Sequence, residues 1–298
     1  MIDSAAARQA LLVAVVFLSA PASACSQVDS VPVDPDTESE LEALGSTHVV
    51  DWDFPAGTTW RDMGSGYEDG GNAGGAGESR VVDLTEPGPW GGTKALENHF
   101  GVIPTAAQPQ VGTVWWLPEP EREIWYETWV RFGPNWEIGE VAEGIVHDHK
   151  VHFMYTQAPG GSRYSNRWEW KVGIWGDAMS AAAHDHGTVG YYTLLPYDDP
   201  GSLSATATAW DGEWHRVRAH YRIGDGSGNG VMRLWWDDRL VVNYTGPRDL
   251  SDTPDRRFSG MLFGGNRNQG TAQPMSFFFG PLTLWTGEAP AWDAQTGA

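Results

Sequence analysis

A single cysteine, Cys25, occurs in the 298 residues, so no disulfide can form within the chain. In an oxidising compartment its stability must then come from the hydrophobic core alone. Lysine is almost as scarce, since the 19 basic residues comprise three lysines (Lys94, Lys150, Lys171) and sixteen arginines. Basic charge as a whole is outweighed, because 39 acidic residues leave a formal net charge of −20. Binding a phosphate backbone needs net basic surface, which argues against nucleic acid as a partner. Long apolar runs are missing too. The run from Ala10 to Ala20 is about half of the roughly 20 residues that a spanning helix requires. Capped helical periodicity is absent after residue 46, which argues against a helical fold.

What stands at the N-terminus is a short polar stretch with Arg8, the apolar run, and then Pro21-Ala22-Ser23-Ala24-Cys25. That layout predicts a secretory signal over residues 1–24. It also resembles a bacterial lipoprotein signal, which implies lipidation of Cys25 and a membrane contact through the lipid anchor only, at the bacterial cell envelope. Ordinary secretion is the alternative. Residues 26–46 carry six acids (Asp29, Asp34, Asp36, Glu38, Glu40, Glu42), no base, and prolines 32 and 35. Such a segment cannot bury enough apolar surface to fold, so 25–46 is expected to be a disordered tether and 47–298 a single domain.

Within that domain period-two alternation recurs between glycine- and proline-rich turns, which predicts an all-β fold. In 124–132, Tyr126, Thr128, Val130 and Phe132 form the core side, with Trp125, Glu127, Trp129 and Arg131 outward. In 149–156, Val151, Phe153 and Tyr155 are expected inward and Lys150, His152, Met154 and Thr156 outward. In 167–175, Trp168, Trp170, Val172 and Ile174 are core, and Arg167, Glu169, Lys171 and Trp175 outward. Residues 214–223 place Val217, Ala219, Tyr221 and Ile223 inward and pair as a hairpin with 232–236, where Trp236 is core. The glycine-rich 70–75 reads as a loop and Met275 to Trp285 as a closing central strand. Strands with one apolar face need a second sheet to cover it, so a two-sheet antiparallel β-sandwich is expected.

Several segments together resemble the concanavalin A-like lectin/glucanase superfamily, and within it the polysaccharide lyases of alginate type. They are His48–Gly57, Gly92–Glu97, Tyr126–Phe132, Gly212–Val217, Asn229–Asp238 and Phe278–Trp285, which cover nearly the whole folded part. The resemblance implies a jelly roll. It also matches Lys150-Val151-His152 to the family's Gln-Ile-His strand, and Trp170 to Trp175 to its Tyr-x-Lys-x-Gly-x-Tyr strand. By that match His152 is a base or carboxylate neutraliser and Lys171 a substrate contact. Trp175 stands where the family has its catalytic tyrosine, and an indole cannot pass on a proton at ordinary pH. Tyr155 and Tyr164 are the nearest replacements in sequence.

β-Elimination of a uronate polymer needs a cation against the carboxylate, a base and an acid. The outward sets supply His152, Lys171 and Arg167 as catalytic candidates, Tyr155 joins them as a tyrosine near in sequence that could replace the missing one, and Lys150, Arg131, Glu127, Trp129 and Trp175 are the expected substrate contacts. An acidic polysaccharide is therefore the expected partner. A non-catalytic carbohydrate-binding or adhesion module is the first alternative, with the basic residues forming a solvated face paired to Glu127 and Glu169. Glycoside hydrolysis is the second, although no Glu-x-Asp-x-Glu strand occurs and Glu137, Glu140 and Glu143 are spaced by three. His147-Asp148-His149 and His184-Asp185-His186 are more often solvated or hydrogen-bonded than zinc ligands, and no metal site is assigned. The chemistry requires no cofactor, and a structural calcium held by loop oxygens is compatible with the resemblance.

Overall fold

The computed structural model describes residues 45–72, 77–103, 110–134, 136, 140–142, 145–146, 149–162, 166–172, 179–184, 191–194, 211–245, 255–266 and 271–295. The first strands are β1 (Ser46–Val50), β2 (Tyr67–Asn72), β3 (Gly77–Asp83), β4 (Lys94–Phe100), β5 (Gln110–Glu121) and β6 (Glu123–Phe132). Then come β7 (Glu140–Ala142), β8 (Ile145–Val146), β9 (His149–Gln157), β10 (Asn166–Val172), β11 (Met179–His184) and β12 (Tyr191–Leu194). The last are β13 (His215–Arg222), β14 (Val231–Trp236), β15 (Arg239–Thr245), β16 (Arg257–Asn266), β17 (Met275–Thr286) and the short helix α1 (Ala291–Gln295).

Two antiparallel sheets form the sandwich. One is eight-stranded, in the order β15-β14-β13-β6-β17-β4-β3, with β1 added along β17. The other is seven-stranded, in the order β12-β11-β10-β9-β16-β5-β2. Val130, Phe132, Tyr126, Val217, Tyr221, Met232, Trp236, Phe277 and Phe279 from the first sheet meet Val111, Met154, Met261 and Phe263 from the second in one buried cluster. Each large apolar side chain buried there contributes roughly 1.5–3 kcal/mol. Polar pairs also cross the interior, as where the Ser79 and Thr113 hydroxyls lie 3.0 Å apart.

Alternation reads the eight-stranded sheet well. In β6 and β13 the predicted core sides are buried, β13 pairs with β14, and β17 is the predicted long strand between β6 and β4. Trp125 departs from its expected outward exposure. It is only 5% exposed, because Trp235 and Trp292 of α1 pack over it.

In β9 Val151 lies in the core between the sheets as expected, but beyond it the expected faces are exchanged. Met154 belongs to the core between the sheets, whereas Phe153 and Tyr155 pack on the opposite face with Val114, Trp116 and Leu262. Phe153 and Met154 are both 0% exposed. With both faces buried, apolar alternation no longer marks the inner one. A register shift against β10 near Val151, between the Lys150↔Lys171 and His152↔Trp170 pairs, adds one residue to β9. Such a bulge reverses the parity of everything beyond it. The glycine-rich segment also differs from expectation, since Gly70 and Gly71 lie inside β2. A Cβ on Gly70 would stand 2.1 Å from Leu262 and 2.7 Å from the Gly112 backbone, so only glycine lets β2 close against β5.

Candidate functional site

The outer face of the seven-stranded sheet is assembled by strand register. Trp116 pairs with Gly260, Gly260 with Tyr155, Tyr155 with Arg167, Arg167 with His184, and His184 with Tyr191. Directly paired residues share a face, so these positions form one row across six strands. The next row on the same face runs Val114, Leu262, Phe153, Glu169, Ala182, Thr193. Lys150 and Lys171 pair four residues along β10 from Arg167.

The inner end of that face is apolar and closely packed. Trp116 and Tyr155 have ring centroids 5.8 Å apart, and Phe153 lies 6.4 Å from Tyr155. Gly260 makes room for this, because a Cβ there would meet the Trp116 ring at 2.4 Å. Tyr155 is 8% exposed. Its ring is thus fixed by Trp116 and Phe153 next to the Arg167 position.

Of the residues expected from sequence, Tyr155, Arg167, Lys150 and Lys171 fall on this one face. His152 does not, for its register partners are Trp170 and Phe263, and Phe263 belongs to the core between the sheets. The bulge at Val151 is the physical cause. The side chains of Lys150, His152, Arg167 and Lys171 lie outside the described residues, as do Trp175, Tyr164 and the whole of residues 1–44, including Cys25. His184 enters the row although its triplet suggested a metal ligand at most. Strand pairing alone brings it beside Arg167, so no local sequence signal marks it.

Glu127, Trp129 and Arg131 lie elsewhere. They belong to β6, in the other sheet, so they do not line one surface with β9 and β10. There Arg218 Nε donates to Glu127 at 2.6 Å and its Nη1 to Asp238 at 2.6 Å. Arg216 pairs with Asp238, Arg80 with Glu97 and Glu78, and Arg222 with Glu123. His220 stacks on Trp125 at 4.6 Å and bonds Glu123 at 2.7 Å. Trp129 is half-buried, 6.4 Å from Trp90, with the Arg216 guanidinium 5.8 Å over its ring. Arg131 sits in the corner between Trp214 and Phe278, at 4.8 and 4.7 Å.

His215 is a further titrating centre. Its Nδ1 lies 2.6 Å from Asp237 and its Nε2 3.1 Å from Asp211, while its ring stacks on Trp236 at 4.6 Å. Burial alone would lower its pKa, but the two carboxylates outweigh burial and leave it raised. Asp237 and Asp238 form the β14–β15 turn with φ of 47° and 68°, the two positive values a tight two-residue hairpin demands.

A cavity of about 560 Å³ opens between the edges of the two sheets, lined by Trp60, Arg61, Asp69, Glu78, Ser79 and His99 among others. Among the described residues no group of three or more His, Cys, Asp or Glu is placed to hold a metal ion. His149 and His184 belong to different strands, and the other members of their triplets lie outside the described residues. No described helix is long and apolar enough to cross a membrane.

No family model matches the chain, and no curated protein matches it. Solved structures do. Alginate lyase Aly36B superposes with a TM-score of 0.51 at 15% identity, over 80% of this chain and 96% of that one. A variant of the same lyase in complex with alginate trisaccharide gives 0.51 at 14% identity, over 80% and 97%. Alginate lyase vAL-1 from Chlorella virus gives 0.52 at 10% identity, over 78% and 98%. Identities this low establish a shared fold, and that fold is the concanavalin A-like jelly roll the sequence motifs resemble.

Proposed function

We propose that this chain is an exported protein that binds an acidic polysaccharide across the outer face of its seven-stranded sheet and cleaves it by β-elimination. The observation that carries the reading is the row Tyr155, Arg167, His184, Tyr191 on four neighbouring strands. The likeness in fold to two alginate lyases points the same way. Adjacent strands lie about 4.8 Å apart, so a cation is flanked on both sides by groups that carry protons.

In the reaction the C5 proton beside the uronate carboxylate is removed. Its electron pair forms the C4=C5 double bond, the C4–O bond to the leaving sugar breaks, and that oxygen takes up a proton. Arg167 holds the carboxylate and offsets the charge that builds as C5 loses its proton. His184 is the base and Tyr155 the acid, each one strand away from Arg167. Lys150 and Lys171, about 13 Å along the strand direction, engage a neighbouring carboxylate of the polymer. Cys25, lipidated after removal of residues 1–24, holds the domain at the cell envelope through the acidic tether.

Trp175, at the position of the family's catalytic tyrosine, favours a second reading, in which the same face binds polymer without cleaving it. Incubation with alginate, glucuronan and other polyuronates separates the two. Absorbance of the unsaturated uronate should rise with at least one of them and should fail to rise with Arg167→Gln. Retained binding with no rise for the unaltered protein on any polymer would establish the binding module. Cys25→Ser should abolish incorporation of a labelled fatty acid, and unchanged incorporation would overturn the anchor.

A further inference from the structure

Arg131 differs from the other arginines of the eight-stranded sheet's outer face. Arg80, Arg216, Arg218 and Arg222 each contact a carboxylate within the chain, and Arg233 donates to Asn243. The Arg131 guanidinium, among the described residues, has only rings for neighbours: Trp214 at 4.8 Å and Phe278 at 4.7 Å. Among the described residues, the acid that bears on it is Glu213, through charge and without a hydrogen bond. Trp214 is itself held edge-on by Trp90 at 4.7 Å, and Trp90 packs against Gly280, where a Cβ would meet it at 2.7 Å. This corner is therefore closely packed, half-buried and cationic, and among the described residues no hydrogen-bond acceptor meets its forked donors. A planar guanidinium held in this way is arranged for a carboxylate, and indoles beside it suit a pyranose face.

We infer that Arg131, Trp214, Trp90 and Phe278 form a second binding site for a uronate residue, on the opposite side of the sandwich from the Tyr155–Arg167–His184 row. For the class of polymer the inference rests on the function proposed above. Its geometry is independent of it, since β6 and β17 belong to the other sheet. Among the described residues the strand partner of Arg131 is Phe278, which has no proton to exchange, so the site's role is to hold polymer while the other face works on it. Two faces on one anchored domain raise the local concentration of polymer at the cleaving face.

Calorimetric titration with a short oligouronate, too short to reach around the sandwich, counts the sites. The whole protein carrying Tyr155→Phe, which stops turnover of the ligand, should bind two molecules. Adding Arg131→Gln should leave one, and adding Arg167→Gln instead should also leave one. Arg131→Lys retains the charge but not the fork, and should weaken one site about tenfold; it also serves if Arg131→Gln fails to fold. A single site that is removed by Arg167→Gln and untouched by both Arg131 variants would overturn the second site and leave the proposed function standing. Absence of binding to any oligouronate would overturn both.

Discussion

The two outer faces of the sandwich draw on the same residue types and arrange them differently. On the eight-stranded sheet arginine and carboxylate answer each other within the chain, as in Arg218 with Glu127 and Asp238, and indoles pack on indoles under α1. On the seven-stranded sheet the described centre is apolar, made of Val114, Leu262, Phe153, Trp116 and Tyr155. The charged positions Arg167, Glu169 and Lys171 follow one strand further out. A face whose charges are mutually satisfied places little demand on a ligand. The seven-stranded sheet instead sets a buried aromatic cluster beside the Tyr155, Arg167, His184 and Tyr191 positions, the row on which the proposed reaction rests. Arg131 is the exception on the first face.

The largest effect that would break this contrast is on turnover. Arg167→Gln should lower the rate of unsaturated-uronate formation by about 10²–10³-fold, the loss expected when one oriented charge stabiliser is removed, with the melting temperature nearly unchanged. Leu262→Ala tests whether the apolar floor is a packed core. Leu262 is completely buried, so urea unfolding should show a loss of about 2–5 kcal/mol, whereas an effect below about 1 kcal/mol would mean a loose surface patch.

His215 sharpens the comparison from the side where charges are paired. Its folded pKa is raised, so its contribution is complete below the unfolded value of about 6.5 and is lost as pH rises through the higher folded value. For Asp237, burial alone would raise the pKa, but the His215 and Arg216 donors outweigh it and lower it. That carboxylate's contribution is therefore present above about 3.9 and is lost as pH falls. The melting temperature should fall by about 2–4 °C between about pH 6 and about pH 9, relative to His215→Gln. An equal fall in both proteins would contradict the pairing. Smallest of all, Glu127→Gln should cost less than about 1 kcal/mol by denaturant unfolding, because Arg218 keeps Asp238.

The fold was largely legible in the sequence where strands have one wet face. β6 and β13 show it, since their alternation separates Tyr126 and Val217 from Glu127 and Arg216 and predicts the buried side correctly. β9 shows the limit. Both of its faces are buried from Val151 on, and a bulge at Val151 shifts the parity, neither of which alternation of residue types can mark. Motif resemblance selected the strand pair that carries Tyr155, Arg167 and Lys171, yet it assigned His152 to a face the register denies it. His184 was beyond local reading altogether, because its place beside Arg167 depends on the pairing of β10 with β11. Equally, the separation of Arg131, Glu127 and Trp129 from the β9–β10 face follows from sheet order, which alternation does not encode.

The most direct test sets His184→Gln beside His152→Gln, each shown to be folded by its melting transition, and follows unsaturated-uronate absorbance on the polymer that the unaltered protein cleaves. The account predicts that turnover is lost in His184→Gln and persists in His152→Gln. Loss in His152→Gln with turnover retained in His184→Gln would contradict it.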